Sequence, residues 1–470
     1  MDREHHYVDG AWTLSKGDLQ VVVNPSTEQP LAQVRLGTVD EVDRAVGAAR
    51  RALKEWSSLT PAERGEFVTA LRDGLTARMG DVASLIADEV GSPLQFAMLA
   101  QAAGPIAVAD SYVAIAKDFA VETASGNRLV RNEPVGVAAA ITPWNYPLHQ
   151  IICKLAPALV AGCTMVWKPT EVAPLTAYLL AEILDEIGLP PGVFNFVPGT
   201  GAEVGEALAS HPGIDLVSFT GSTRAGTRVA ALAAPNVTRV ALELGGKSAL
   251  VVLDDANLES AVQTGVSACY LNTGQTCAAW SRLVVPRAMV DEATEMAKAV
   301  AESMKVGPAK GDGTVIGPLV SSVQRDRVRE HIGRAIAEGA TVVTGGAGTP
   351  SGLDEGYFVQ PTVFGDVVPE TSIAQEEVFG PVLAVMAHDG DDHAVEVANA
   401  TRYGLHGGVY SADRDRALAV ARGMRTGTVD INGIKPNLSG PFGGFGHSGI
   451  GRELGTFGLD EYCEIKGINQ

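Results

Sequence analysis

Between about residue 128 and residue 245, short apolar runs alternate with segments of helical period, and this alternation constrains the fold more than any other feature of the chain. "VGVAAAITP" reads as a strand, "ICKLAPALVAG" as a helix, "CTMVWKP" as a strand, and "TAYLLAEILDEIG" as a helix. "VFNFVPG" follows as a strand, "AEVGEALASH" as a helix, and "LVSFTGS" and "RVALELGG" as strands. Strands spaced by helices are joined by right-handed crossovers, which predicts a parallel sheet covered by helices on both faces. A second α/β series starts at 246 with "KSALVVLDD" and runs through "AVQTGVSACYLNTG", "SRLVVP", "MVDEATEMAKAVAESMKV" and "VQRDRVREHIGRAIAEGATVVTGG". The two series share no obvious repeat, and 470 residues exceed what one core usually serves. Two packed α/β domains are expected rather than one very wide sheet.

Upstream, residues 39 to 123 read mainly as helices. "TVDEVDRAVGAARRALKEW" opens on a Thr cap and keeps Val42, Ala45, Val46 and Ala49 on one face, and Pro61 takes the first helical position behind Thr60. "DFAVETASGNRLVRNEP" (118 to 134) alternates around a Ser-Gly turn and reads as a hairpin, while the C-terminal "DEYCEIKGI" is a lone strand. Both lack obvious neighbours, so each needs a partner strand, another subunit being one source.

Composition narrows the function classes. With 36 Lys+Arg against 55 Asp+Glu the net charge is -19, and there is no long basic cluster, which argues against nucleic acid and anionic membranes as partners. The five cysteines (Cys153, Cys163, Cys269, Cys277, Cys463) are widely spaced, with no C-x-x-C and no Cys/His cluster. That disfavours a disulfide framework or a metal site and fits a reducing compartment. "MDREHHYVDG" has neither the basic nor the apolar region of a leader, and no uninterrupted apolar run reaches membrane-spanning length, so a cytoplasmic location is expected.

Several short motifs carry chemistry. The strand "DLVSFT" runs into Gly221-Ser222-Thr223 and Gly226, where glycines admit a phosphate and a helix N-terminus offers free N–H groups; a plain turn is the alternative. "PGTGAEVG", with Gly199, Gly201 and Gly205, misses the usual dinucleotide spacing. "VWKPTE" places Lys168 and Glu171 at a strand end, where they could hold a ribose or simply form a solvated pair. In "ITPWNYP" two prolines fix the backbone around Asn145, which suits a donor awaiting negative charge, or a turn. "LELGGK" sets Glu243 in an apolar strand, where a raised pKa makes a carboxylate a base near neutrality. In "NTGQTCAAW" Cys277 follows the break of a helical pattern at Gly274; a helix N-terminus or backbone amides there would lower its pKa, although a lone cysteine is more often a core thiol.

The motifs gain meaning from their order. "PWNYP", "KPTE", "FTGST", "LELGGK", "GQTC", "EEVFGP" and "PFGGFGHSGIGRELG" follow one another as in the aldehyde dehydrogenase superfamily, which the chain resembles from about residue 7 to 466. The resemblance implies an α/β fold with a Rossmann-like cofactor domain (1–115, 135–245 and 448–462), a second α/β catalytic domain (246–447) and a small β oligomerisation arm (116–134 and 463–470). It implies Cys277 as nucleophile, Asn145 with the Cys277 N–H as oxyanion donors, Glu243 as general base, and Lys154 and Glu453 at positions linked to proton relay. Thr142, Trp144, Lys168, Glu171, Gly201, Phe219, Gly221, Ser222, Gly226, Gly245, Glu377 and Phe379 match cofactor contacts. NAD is expected over NADP because a carboxylate at 171 would repel a 2′-phosphate. Tyr146, His149, Cys153, Thr276, Ala278, Pro436 and Phe442 are expected to wall a mostly apolar substrate tunnel, and a homodimer or homotetramer is implied. The chain departs from many relatives at Gly446, where they carry Lys, and at His149 and Cys153, where some are bulkier and more apolar. Two other readings stand beside hydrolytic aldehyde oxidation: a CoA-acylating enzyme, against which Glu243 counts, and a non-catalytic NAD-binding descendant, against which Cys277, Glu243 and Asn145 count.

Overall fold

The computed structural model describes residues 2–434 and 437–469. The helical segments begin where side chains can satisfy free backbone donors. At Thr38 the backbone N–H donates to Glu41 Oε2 at 2.9 Å, and at Thr60 to Glu63 Oε2 at 2.6 Å, with Glu63 N–H returning to Thr60 Oγ1 at 3.2 Å. The helices Val39–Ser58 and Pro61–Ala77 follow directly. Helix Pro147–Ala161 is bracketed by Pro147 in its first turn and by Gly162 at φ +96°, and nearly all of it is buried.

The chain builds two large sheets. The first has eight strands, and its middle is parallel: Arg239–Glu243, Leu216–Thr220, Val137–Ile141, Thr164–Lys168 and Phe194–Phe196 lie side by side in that order. Leu216–Thr220, Val137–Ile141 and Thr164–Lys168 are buried at every position, as strands covered on both faces must be. Side chains alternate between two cores, with Ala138 and Ala140 in one and Val137, Ala139 and Ile141 in the other. From Val137–Ile141 the chain winds first to one side and then, after Phe194–Phe196, to the other. The winding reverses between Val137–Ile141 and Leu216–Thr220, so a crevice opens beyond their carboxyl ends.

The edges differ from the parallel sheet expected. His5–Val8 and Ala11–Leu14 form a hairpin that adds antiparallel on one side, and Gly449–Ile450 pairs antiparallel with Leu242 and Glu243 on the other. A further pair, Leu19–Val23 with Pro30–Arg35, makes a separate two-stranded sheet.

The second large sheet has seven strands, Thr341–Thr344, Thr362–Gly365, Val382–His388, Arg282–Pro286, Ala249–Val252, His406–Tyr410 and Thr428–Ile431, parallel except for the first. It too has a core on each face, with Ala249 and Val251 on one side and Leu250 and Val252 on the other.

The lone strands find their partner within the chain. Cys463–Asn469 pairs antiparallel with Arg128–Pro134 along its whole length, and Arg128–Pro134 pairs with Glu122–Ser125 across a turn at Gly126. Among the described residues one helical run, Leu94–Asp118, is long and apolar enough to cross a membrane by length and composition. It packs against Pro61–Ala77 and Pro147–Ala161, with Val108, Ala109 and Tyr112 fully buried.

Candidate active site

The crevice at the winding reversal is the place to look for chemistry. Beyond strand Val137–Ile141 the chain turns through Pro143, Trp144 and Asn145 before Pro147 starts the next helix. Asn145 is buried; its Nδ2 donates to Gln275 O at 3.0 Å, and its own carbonyl accepts from Asn272 Nδ2 at 2.9 Å. Both contacts come from the segment that carries Cys277.

That segment is held in a costly conformation. Asn272, Thr273 and Gly274 lie at φ +51°, +59° and +73°, and left-handed backbone costs a non-glycine residue about 1–2 kcal/mol. Side chains hold it there: Gln101 Nε2 donates to Asn272 Oδ1 (3.1 Å), Gly317 N–H to Thr273 Oγ1 (2.9 Å), and Val320 N–H to Gln275 Oε1 (3.0 Å). At Gly274 a Cβ would lie 2.1 Å from Gly380 O, so only glycine fits. The break ends helix Leu258–Tyr270 and delivers Cys277, in no regular element, to a cleft enclosing ≈ 690 Å³, open mouth included. Trp144, Asn145, Gly221, Ser222, Gly245, Glu377 and Phe379 line the same cleft.

The Cys277 environment overturns one expectation. Burial, followed by the Glu377 and Glu243 carboxylates, pushes the thiol up to about 12, and the Ala278 N–H opposes this. No helix starts at residue 277, so no dipole lowers it. A base is therefore needed to ionise the thiol at neutral pH.

Glu243, the last residue of its strand, is buried with both carboxylate oxygens lacking a hydrogen-bond partner. Burial and then Glu453 push it well above the ordinary carboxylate range, while Lys154 pulls the other way. Lys154 is almost fully buried and its Nζ lies 2.5 Å from Glu453 Oε1. A Cβ at Gly443, which sits at φ +145°, would come within 2.5 Å of Glu243 Oε1, so that glycine leaves room for the carboxylate.

Of the residues expected to hold a cofactor, Trp144, Gly221, Ser222, Gly245, Glu377 and Phe379 line this cleft and Gly201 and Phe219 a second cavity, while Thr142, Lys168, Glu171 and Gly226 line neither. Helix Thr223–Ala233 opens behind Gly221 with Ser222 Oγ accepting the Ala225 N–H at 3.3 Å, and the buried Thr220 Oγ1 beside it has no partner. At Gly226 a Cβ would sit 2.5 Å from Leu244, and at Gly245 one would sit 2.0 Å from Glu377 Oε2. Glu377 accepts the Gly246 N–H at 3.0 Å, and burial raises it to about 7. Phe379 meets Trp144 edge-on at 5.4 Å. Across the start of the same helix, Gly201, Gly205, Phe219, Arg224 and Arg228 line a cavity of ≈ 1160 Å³. Lys168 Nζ contacts Glu171 Oε2 at 3.0 Å, and burial pushes Lys168 down. Thr142 Oγ1 accepts from Trp167 Nε1 at 2.9 Å.

Of the expected tunnel residues, Tyr146, Thr276, His149 and Cys153 form one group: Tyr146 OH contacts Thr276 Oγ1 at 2.7 Å, and His149 Nε2 lies 3.4 Å from Cys153 Sγ. Phe96 meets the Tyr146 ring edge-on at 6.2 Å. Phe442 exchanges backbone hydrogen bonds with Glu453, and the Ala278 carbonyl is held by His406. Pro436 lies outside the described residues. All five cysteines are free.

Gln324 and Arg327, from helix Ser322–Ala337, also line the cleft, and Gln324 Nε2 donates to Phe379 O at 2.9 Å. Sequence reasoning missed both, since their only signal is a polar pair three apart on a helix whose direction the sequence does not reveal.

A doubly wound sheet that meets a second α/β sheet at a cleft holding a cysteine, an amide donor and a buried carboxylate defines a class of oxidoreductase. Residues 12–468 match the aldehyde dehydrogenase family, and the chain belongs to it. It is 47% identical over 469 residues to a 3-succinoylsemialdehyde-pyridine dehydrogenase of Pseudomonas sp, covering 99% of this chain and 98% of that one. Its fold matches a mutant aldehyde dehydrogenase C from Pseudomonas syringae, solved with NAD+ and octanal, at TM-score 0.98 and 42% identity, covering 99% and 96% of the two chains. It also matches a betaine aldehyde dehydrogenase of Staphylococcus aureus, solved with NAD+, at TM-score 0.96 and 37% identity, covering 99% and 94%.

Proposed function

We propose that the protein oxidises an aldehyde to its carboxylic acid with NAD, through a thioester on Cys277 that is hydrolysed with Glu243 as base. The carrying observation is that Cys277 and the Asn145 amide line one cleft, with the buried, unbonded Glu243 close enough for its charge to bear on the thiol. A carboxylate raised this way is a stronger base toward the thiol proton than an ordinary carboxylate. The thiolate then attacks the aldehyde carbon. Asn145 Nδ2 carries two hydrogens: Gln275 O takes one and so fixes the amide plane, and the other is free for the developing oxyanion, beside the Cys277 N–H.

The unbonded Thr220 hydroxyl, the start of helix Thr223–Ala233 and the space kept at Gly245 fit a dinucleotide. Gly221 and Ser222 would take its pyrophosphate, Lys168 and Glu171 its adenosine ribose, Phe219 and Gly201 its adenine side, and Glu377 with Phe379 its nicotinamide ribose, with Thr142, Trp144, Gly226 and Gly245 completing the contacts. When bound, NAD supplies the acceptor for the hydride released from the tetrahedral carbon. The Lys154–Glu453 pair passes the thiol proton outward, and Glu243, ionised again, deprotonates the water that attacks the thioester and releases that second proton by the same route. A carboxylate at 171 would repel a 2′-phosphate, so NAD is preferred; a lower KM for NADP than for NAD overturns that preference.

The aromatic row of Phe96, Tyr146 and His149 favours an apolar or aromatic aldehyde over one bearing a second carboxylate. The two large sheets and the three-stranded sheet of Cys463–Asn469, Arg128–Pro134 and Glu122–Ser125 support the division into cofactor domain, catalytic domain and arm given by the resemblance. Ile465, 75% exposed on strand Cys463–Asn469, supports a homodimer or homotetramer, and free cysteines suit the cytoplasm. Absorbance at 340 nm with NAD and a panel of aldehydes tests the reading: turnover that disappears in Cys277→Ala is expected, and turnover that survives it overturns the assignment.

A further inference from the structure

The cavity beside the cleft carries an ion pair that the chemistry above does not use. Gly201, Gly205 and Glu206 lie on one of its walls, and Arg224, Arg228 and Leu232, spaced four apart on helix Thr223–Ala233, lie on the other. Ile141, Phe219 and Val229 also line it and are buried, so they make its floor. Neither packing nor a positive φ requires glycine at 201 or 205. A Cβ at Gly201 would meet nothing within 4 Å, and one at Gly205 would make only ordinary contacts, with Lys168 Cδ at 3.7 Å and Thr200 O at 3.8 Å. Glycines that the fold does not need leave backbone open to the close approach of a ligand.

Arg228 Nε donates to Glu206 Oε1 at 3.0 Å and Nη2 donates to Glu206 Oε2 at 2.7 Å, which joins helix Thr223–Ala233 to helix Glu206–Ser210. Both side chains are exposed while the floor is buried, so the pair stands at the mouth of the cavity. An exposed pair adds little to stability, and the fold does not account for this one. What the pair does fix is orientation. Two parallel N–H···O bonds hold the guanidinium and the carboxylate in register, and because every guanidinium donor lies in its plane, both faces stay free to stack on an aromatic ring.

Charge narrows the occupant. Among the described residues, Glu206 is the one carboxylate that lines the cavity, and it is taken by Arg228. Arg224, one turn earlier, has no carboxylate partner among the described residues, so the cavity keeps a net positive charge. A flat, largely apolar ring that carries an anionic group fits such a space, and adenine on its phosphate is one. The Lys168 stem beside Gly205 brings Lys168 and Glu171, the pair assigned above to the adenosine ribose, to the edge of the same cavity.

We infer that Arg228, held in plane by Glu206, is a specificity-determining residue for the cofactor: its guanidinium stacks on the adenine ring from the mouth of the cavity, opposite the floor of Ile141, Phe219 and Val229. The inference rests on NAD as the cofactor of the reaction proposed above.

The test is titration of wild type, Arg228→Ala, Arg228→Lys and Glu206→Asp with NADH by fluorescence and with 5′-AMP by calorimetry. Arg228→Ala is expected to raise both dissociation constants about fivefold. Arg228→Lys keeps the charge and lacks the plane, so it should stay close to Arg228→Ala; a return to wild-type affinity shows that charge alone acts and overturns the inference. Glu206→Asp keeps the charge on a shorter side chain and should raise both constants about twofold; wild-type affinity there overturns the holding role of Glu206. A merely structural role would lower melting temperature and leave the dissociation constants alone, so unshifted constants in folded Arg228→Ala overturn the inference. If Arg228→Ala is insoluble, Arg228→Lys decides, and wild-type affinity there overturns it. Wild type separates the two levels: no binding of NADH or 5′-AMP removes the dinucleotide reading and the role of Arg228 with it, whereas equal binding by wild type and Arg228→Ala removes only the role of Arg228.

Discussion

Lys154→Met removes an ammonium that lies 2.5 Å from Glu453 Oε1 and keeps a side chain of similar length. Lys154 is also the strongest of the charges that hold Glu243 down, against burial and Glu453, which hold it up. Without the ammonium, the buried Glu243 and the part-buried Glu453 repel each other with no counter-charge from that side. An opposite charge at close range shifts a carboxyl by about 1–3 pH units, so Glu243 should rise by that much again. A base works only when ionised, so the acidic limb of kcat against pH should move upward by about 1–3 units, and turnover at a fixed pH on that limb should fall about 10- to 1000-fold. Breaking a buried pair also costs about 3–5 kcal/mol, a large share of a typical stability of roughly 5–15 kcal/mol, so the melting temperature should fall as well. Glu453→Gln works in the opposite sense: it removes a negative neighbour of Glu243 and leaves Lys154 in place, so the limb should move to lower pH. Steady-state kcat from pH 5.5 to 10, with circular dichroism to confirm folding, reads both variants. Limbs that move in the same direction, or that do not move, refute the electrostatic account of Glu243.

Three further outcomes are expected. Asn145→Ala should lower kcat by about 10²–10³ while NAD binding, followed by fluorescence titration, stays at the wild-type level; an unchanged kcat removes the oxyanion role. Gly245→Ala places a Cβ 2.0 Å from Glu377 Oε2, so the carboxylate must move and the KM for NAD should rise about tenfold or more, with wild-type affinity as the contrary result. Glu89 is fully buried at the start of helix Leu175–Glu186, where it accepts the N–H groups of Leu175 and Thr176 at 2.6 and 2.8 Å, and burial raises it from 4.5 to about 7. The folded state then binds its proton more tightly, so this group's contribution falls by roughly 3 kcal/mol as pH rises from 4.5 to 7; thermal melts should lose that slope in Glu89→Gln, and equal slopes refute it.

Local rules carried far in this chain. Thr38 and Thr60 cap helices because their hydroxyls and a Glu three residues on satisfy one another, a rule that needs no tertiary knowledge. The apolar runs of residues 137–243 became strands because parallel sheets bury both faces. The ordered motifs pointed to Cys277 and Asn145, which line one cleft, and to Glu243, whose charge bears on the Cys277 thiol. What stayed hidden depends on partners distant in sequence. Strands His5–Val8 and Leu19–Val23 are short and partly exposed, so their periodicity is faint. The Cys277 thiol is raised rather than lowered because burial, and after it Glu377 100 residues away, disfavour the thiolate, and neither can be seen from "GQTC". Arg327 likewise acquires meaning only once its helix is packed against the cleft.

The pairing of Cys463–Asn469 with Arg128–Pro134 has a consequence for biosynthesis. Lys466 and Glu133, joined by an ion pair in this sheet, stand 333 residues apart in the chain. During translation at about 5–20 residues per second, the hairpin Glu122–Pro134 waits tens of seconds or longer with one edge unpaired. An open strand edge is a template for pairing with other chains. Arg128, Arg131 and Glu133 put charge along that edge, and charge on an edge strand is what keeps a nascent chain from finding the wrong partner before its own final strand emerges from the ribosome.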